Sequence, residues 1–186
     1  MQTPGAILAV HERATCLYNE VEVEAVLDTM ATAITQRLAE SNPILLSVMN
    51  GAVIVAGKLA TRLHFPLRMD YLHATRYLNR TRGGKLEWKH TPDIDLTGQV
   101  VLVIDDILDE GDTLLTITKY LHSRGAGEVY TAVLVDKQHN RKMPDIKADF
   151  VGLCIADHYL YGYGMDYKGY LRNSAGIYAV DPNDCD

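Results

Sequence analysis

Five carboxylates, Asp105, Asp106, Asp109, Glu110 and Asp112, fall within eight residues, directly after the apolar run Val100 to Ile104. Adjacent acids at a strand end repel one another unless cations or hydroxyls engage them. Gly111 and Thr113 sit where a turn hands over to a helix, whose free amides and dipole attract anions. The segment is therefore two-faced, with carboxylates for a polyhydroxyl ligand or a metal and backbone amides for a phosphate. A buried strand with a solvated acidic turn is the plain alternative. The opposite charge gathers elsewhere: Arg76, Arg80, Arg82, Lys85 and Lys89 against Glu87 give a local +4, leaving −10 for the rest of a chain whose total is −6.

Other motifs fail on spacing. An EF-hand loop opening at Asp106 needs oxygen ligands where Leu108 and Ile117 stand. Gly83-Gly84-Lys85 is followed by Leu86 instead of the hydroxyl residue of a Walker loop, and Gly125-Ala-Gly127 follows a helix and lacks a third glycine at Tyr130. A receiver domain opening at Val101 would have only 86 residues left. The seven histidines are scattered without zinc-like spacing, and none is given a role.

The elements that must position these groups follow from periodicity. Apolar residues at Val23, Val26, Leu27, Met30, Ile34 and Leu38 mark one helical face, and Asn19 with Glu22 forms a capping-box start. Ile44 to Met49 reads as a buried strand, Ala52 to Leu63 as a helix and Leu67 to Tyr77 as β-rich. Leu78 to Thr97 has no sustained period and is read as one long loop, a length usually reserved for lids or disordered segments. Val100 to Ile104 is a strand, Asp105 to Asp112 a turn and Thr113 to Arg124 a helix, followed by strands at Val129 to Val135 and Asp149 to Ile155. Strands alternating with helices predict an α/β fold with a mainly parallel central sheet flanked by helices.

At 186 residues, 47% apolar and 23% charged, the chain suits one globular domain burying roughly 70% of its unfolded surface. Apolar runs such as Ala6 to Val10 fall far short of the ~20 residues of a membrane span, and no basic region precedes that run as in a secretory signal. Cys16, Cys154 and Cys185 are odd in number and scattered, which points to a reducing cytoplasm. The acidic total argues against a nucleic-acid partner.

With these residues in view, Val100 to Leu114 resembles the phosphoribosyl-pyrophosphate signature of the type I phosphoribosyltransferases. Met49-Asn50-Gly51 takes the place of that family's pyrophosphate loop, and Phe65 to Tyr77 precedes a long flexible loop. Val133 to Lys137, Asp157 to Asp166 and Arg172 are similar to the purine-side elements of hypoxanthine-guanine phosphoribosyltransferases. The resemblance implies that family's fold, with a core over about 20–150, a small hood from about 1–19 and 151–186, and a lid over about 78–97.

It also implies roles. Asp105 and Asp106 would hold the ribose hydroxyls and, with Asp166, Mg2+. The segment Asp109, Glu110, Gly111, Asp112 and Thr113 would cradle the 5-phosphate by its amides. Glu110 and Asp112 depart from the neutral or basic residues common in the family, so their side chains are expected to face solvent. Asp109 would handle the proton at N7, with Tyr77 and Arg76 completing the catalytic set. Asn50, Gly51, Arg76 and Arg172 would meet pyrophosphate, although related enzymes can carry Lys in the Asn50 loop. Lys137, Tyr159, Leu160 and Asp166 would bind the purine, Lys137 at the 6-oxo group and Tyr159 by stacking. The implied reaction is purine salvage from phosphoribosyl pyrophosphate and a 6-oxopurine by a homodimer or homotetramer. A preference for xanthine or adenine, or an RNA-binding regulator on the same fold, stays open.

Overall fold

The computed structural model describes residues 3–76, 86–144 and 146–185. Helix α1 (Pro4–Arg13) leads into strand β1 (Thr15–Asn19) and helix α2 (Glu20–Leu38). Then follow β2 (Ile44–Met49), α3 (Val53–Ala60), β3 (Arg68–Arg76), β4 (Leu86–His90), β5 (Val100–Leu108), α4 (Asp112–Ser123), β6 (Glu128–Gln138), β7 (Phe150–Ala156), β8 (Leu160–Tyr161) and β9 (Gly176–Ala179).

Six strands form one sheet in the order β4-β3-β2-β5-β6-β7. The neighbours from β3 to β7 are parallel, and β4 is an antiparallel edge. Ile44 to Leu46, Val101 to Ile104 and Ala132 to Val135 are fully buried without alternation. Such continuous apolar runs mark strands covered on both faces. α2 begins as its sequence predicts: the Asn19 side chain accepts from the Glu22 N–H at 3.1 Å, and the Glu22 carboxylate accepts from the Asn19 N–H at 2.8 Å. A cap of this kind contributes about 1 kcal/mol. The helix buries Val23, Leu27, Met30, Ile34 and Leu38, so truncating Leu27 to Ala would cost about 2–5 kcal/mol.

Three readings change. β5 does not stop at Ile104 but runs to Leu108, because its ladder with β6 continues through Ile107↔Val135 and Leu108↔Asp136. Asp105 and Asp106 thus lie in the strand, and the turn begins only at Asp109. The segment expected as one loop over 78–97 contains β4, whose Trp88 packs on Tyr120 of α4 at 4.4 Å between ring centres. β7 belongs to the main sheet, which therefore extends past the expected boundary at 150.

A second, antiparallel sheet, β1-β9-β8, joins strands from the two ends of the chain. Beneath it Ile7, Val10, Tyr161, Tyr167 and Val180 form a separate apolar cluster. No helix among the described residues is long and apolar enough to cross a membrane.

Candidate active site

In an open parallel sheet ligands bind beyond the carboxyl ends of the strands. There lies a cleft of about 550 Å3, lined by Asn50, Gly51, Asp105, Asp106, Asp109, Gly111, Thr113, Asp166 and Arg172 from the expected set. His73 and Thr75 of β3 and Lys89 of β4 line it too.

The acidic pair is buried, Asp105 at 9% exposure and Asp106 at 8%. Asp105 accepts from the Asp106 N–H at 3.0 Å, and Asp106 from the Ile107 N–H at 2.9 Å. Burial pushes the Asp105 carboxyl well above the usual range, and the charge of Asp106 adds to the effect. Burial raises Asp106 as well, against the hydrogen bond from Asp105 and the charge of Arg172. Buried acids of this kind gain most from hydroxyl donors or a cation brought by a ligand. As hard oxygen donors facing the cleft, they suit Mg2+.

After Leu108 the chain turns through Asp109, Glu110 and Gly111 into α4. Gly111 caps that helix in the left-handed region at φ 93°, where a β-carbon would also meet Ile146 at 2.7 Å. The first-turn amides of α4 thus open at the cleft with Thr113. The Glu110 and Asp112 side chains do not line it; the Glu110 carboxylate lies 4.0 Å from Arg141.

On the far wall, Arg172 bridges two groups: Nη2 meets Asp166 Oδ1 at 2.6 Å and Nη1 donates to the Gly164 carbonyl at 2.6 Å. Asp166 Oδ2 also accepts from the Gly169 N–H at 2.7 Å. The neighbouring Tyr163 hydroxyl donates to Glu24 of α2 at 2.5 Å, which fastens this wall to the core. Directly against it, the Met49–Asn50 peptide is cis, and Gly51 packs on both Gly164 and Asp106.

Asp109 stands in a network. Lys137 Nζ lies 3.3 Å from Asp109 Oδ2 and 3.2 Å from Asp157 Oδ1, and His139 Nε2 lies 2.6 Å from Asp109 Oδ1. Arg141 clamps Asp157 at 2.6 and 3.0 Å, and this hydrogen bond, with that from Lys137, holds the Asp157 carboxyl well below its ordinary range. Ligand atoms of Asp109, His139 and Asp157 lie within 4.8 Å of one another, as at a metal centre. The Lys137 ammonium already serves both acids, so the cluster is an ion-pair network.

Other expected residues are placed differently. Lys137 reaches the cleft through Asp109. Leu160 is buried, and the Tyr159 hydroxyl accepts from the Lys168 N–H at 3.1 Å while its ring packs on Tyr167. Arg76 ends β3, with its side chain outside the described residues, and Tyr77 lies outside them entirely. Sequence reasoning missed His139, Lys89 and His73. Alternation along a strand could have flagged Lys89, whereas nothing local marks His139.

Comparison with known proteins gives a consistent result. A family model described as phosphoribosyl transferase domain matches residues 15–168. The hypoxanthine-guanine phosphoribosyltransferase of Bacillus subtilis is 30% identical over 173 residues, covering 92% of this chain and 96% of that one. The hypoxanthine-guanine-xanthine phosphoribosyltransferase of Tritrichomonas foetus is 29% identical over 157 residues, covering 84% and 86%. A crystal structure of a hypoxanthine phosphoribosyltransferase from Staphylococcus aureus matches at a TM-score of 0.90 and 26% identity, over 96% of this chain and 97% of that one.

Proposed function

The chain belongs to the phosphoribosyl transferase family, and from that membership we propose that it transfers the 5-phosphoribosyl group of phosphoribosyl pyrophosphate to hypoxanthine or guanine. The products are IMP or GMP and pyrophosphate, as purine salvage requires. The observation that carries this reading is the pairing of Asp109 Oδ2 with Lys137 Nζ, 3.3 Å apart at adjacent strand ends. On a 6-oxopurine, N7 and the 6-oxo group lie side by side on one edge. An acceptor and a donor so spaced match that edge, whereas the 6-amino group of adenine would set a donor against Lys137.

The first-turn amides of α4, Gly111 to Thr113, take the 5-phosphate, and Asp105 and Asp106 accept from the two ribose hydroxyls. Asn50, Gly51, Arg76 and Arg172 meet pyrophosphate. Tyr159 gives the base a stacking face, and the backbone at Leu160 reads its edge. Asp105, Asp106 and Asp166 would hold Mg2+, which when bound neutralises pyrophosphate charge. N9 of the base attacks the anomeric carbon as the bond to pyrophosphate breaks and its electron pair departs with that group. The N7 proton passes to Asp109. Bond breaking runs ahead of bond making, so the ribosyl centre turns cationic and water must be kept out. We assign the cover to the basic stretch that follows Arg76, of which residues 77–85 lie outside those described, and the hood to the sheet of β1, β9 and β8.

Three unpaired cysteines support a cytoplasmic setting. The exposed apolar side chains of Met69 and Tyr71 support assembly as a homodimer or homotetramer. The decisive experiment is a Mg2+-dependent spectrophotometric assay with phosphoribosyl pyrophosphate and hypoxanthine, guanine, xanthine or adenine. Turnover of hypoxanthine and guanine is expected. Turnover of no base would defeat the proposal, and RNA binding with steep salt dependence would then favour a regulator.

A further inference from the structure

Resting on the reading of Asp109 as the group that takes the purine proton, we infer that His139 is its positioning residue. It fixes the Asp109 carboxylate so that one chosen oxygen meets the base.

Asp109 and His139 each follow the last residue of a strand, β5 and β6 in turn, and the register Leu108↔Asp136 brings those ends together. The two carboxylate oxygens have different partners. Oδ1 lies 2.6 Å from His139 Nε2, and Oδ2 lies 3.3 Å from Lys137 Nζ. The tautomer follows from the other ring nitrogen. The backbone N–H of Arg141 donates to Nδ1 at 3.1 Å, so Nδ1 is an acceptor and Nε2 carries the hydrogen given to Asp109. The imidazole is held at both nitrogens and its side chain is only 3% exposed, which leaves little room for water to replace either bond.

The charged groups around the pair complete the picture. Lys137 stands on β6, Asp157 follows β7 and is held by Lys137 and Arg141, and Glu110 follows Asp109 and lies 4.0 Å from Arg141. Without His139, Asp109 could rotate about its χ2 angle and offer either oxygen to Lys137. With Oδ1 committed to the imidazole, Oδ2 is the oxygen beside the Lys137 ammonium, which is the edge a 6-oxopurine presents.

The test compares His139→Leu, which removes the donor, with His139→Gln, whose amide N–H can take the Nε2 position. The Leu variant should lose about tenfold or more in kcat, the usual worth of a hydrogen bond to a charged group, with little change in KM for phosphoribosyl pyrophosphate. The Gln variant should recover most of that loss. A Leu variant with parental kcat would overturn the inference, as would a Gln variant no better than Leu at equal melting temperature. A readout independent of turnover is the 15N signature of the His139 ring by NMR. An Nε2–H form that is altered in Asp109→Ala upholds the pair, and an Nδ1–H form rejects it. If the parent protein turns over no purine, the functional reading fails while the ring signature still decides the pair.

Discussion

The carboxylate of Asp106 rests directly against the α-carbon of Gly51, so that a β-carbon there would lie 2.2 Å from Oδ2. The two residues come from adjacent strands, Gly51 just beyond β2 and Asp106 within β5. Gly51→Ala should push the acid off the ribose site and lower kcat/KM by about 10²-fold or more, since misplacement of ~1 Å suffices for that. Steady-state kinetics and thermal melting on the same sample measure it. A variant with parental kcat/KM would show that the position of Asp106 is immaterial.

Asp109→Asn keeps the shape of the side chain but cannot take the N7 proton. Turnover of hypoxanthine should fall by about 10²- to 10⁴-fold at saturating substrate. A kcat close to that of the parent between pH 6 and 9 would assign the proton to another group.

Stability should depend on Glu24 in acid. Burial alone would raise its carboxyl, but hydrogen bonds from Lys58, Tyr163 and Arg62 bring it down to about 2 from an ordinary 4.5. The folded state therefore keeps the ionised form where the unfolded chain has taken up a proton. The contribution is fully present above pH 4.5 and disappears as pH falls toward 2. Urea unfolding at neutral pH should show Glu24→Gln weaker by about 1–2 kcal/mol after screening by solvent. The gap between parent and variant should close in acid, and a gap independent of pH would contradict the assignment.

Arg172→Lys retains charge but cannot span Asp166 and the Gly164 carbonyl, each 2.6 Å from a different guanidinium nitrogen. KM for phosphoribosyl pyrophosphate should rise about tenfold, equivalent to one such bond, with a smaller effect on kcat. An unchanged KM would assign Arg172 to the fold alone.

Chelation offers a fifth check. Activity should vanish in excess chelator and return with Mg2+. Asp166→Asn should raise the Mg2+ concentration needed for half-maximal rate, and an unchanged requirement would remove Asp166 from the metal set.

Much of the core, and the turn at Gly111 that opens α4 beside the cleft, was legible, because local signals specify both. Asn19 and Glu22 cap α2 within four residues of chain, and the continuous apolar run of β5 declares a strand covered on two faces. β4 was hidden, since its alternation of Leu86 and Trp88 with Glu87 and Lys89 spans only five residues and its partner β3 supplies the order. The end of β5 was misplaced because two aspartates look like a turn until the ladder with β6 is known. β8 is two residues long and exists only through β9. His139 escaped notice for a similar reason: it meets Asp109 only across a strand pairing, thirty residues away along the chain.

That pairing, Leu108 opposite Asp136, sets the distance between Asp109 and Lys137, the two groups to which we assign the purine's N7 proton and 6-oxo group. On that assignment, recognition of the base is written partly in the register of two strands, independent of the apolar side chains along them. Replacing apolar residues within β5 or β6 by others of similar bulk preserves that spacing, whereas inserting or deleting one residue would carry Asp109 or Lys137 to the opposite face. The chain can therefore drift far in composition while remaining intolerant of a single-codon slip, in keeping with a backbone that matches its S. aureus counterpart at a TM-score of 0.90 on only 26% identity.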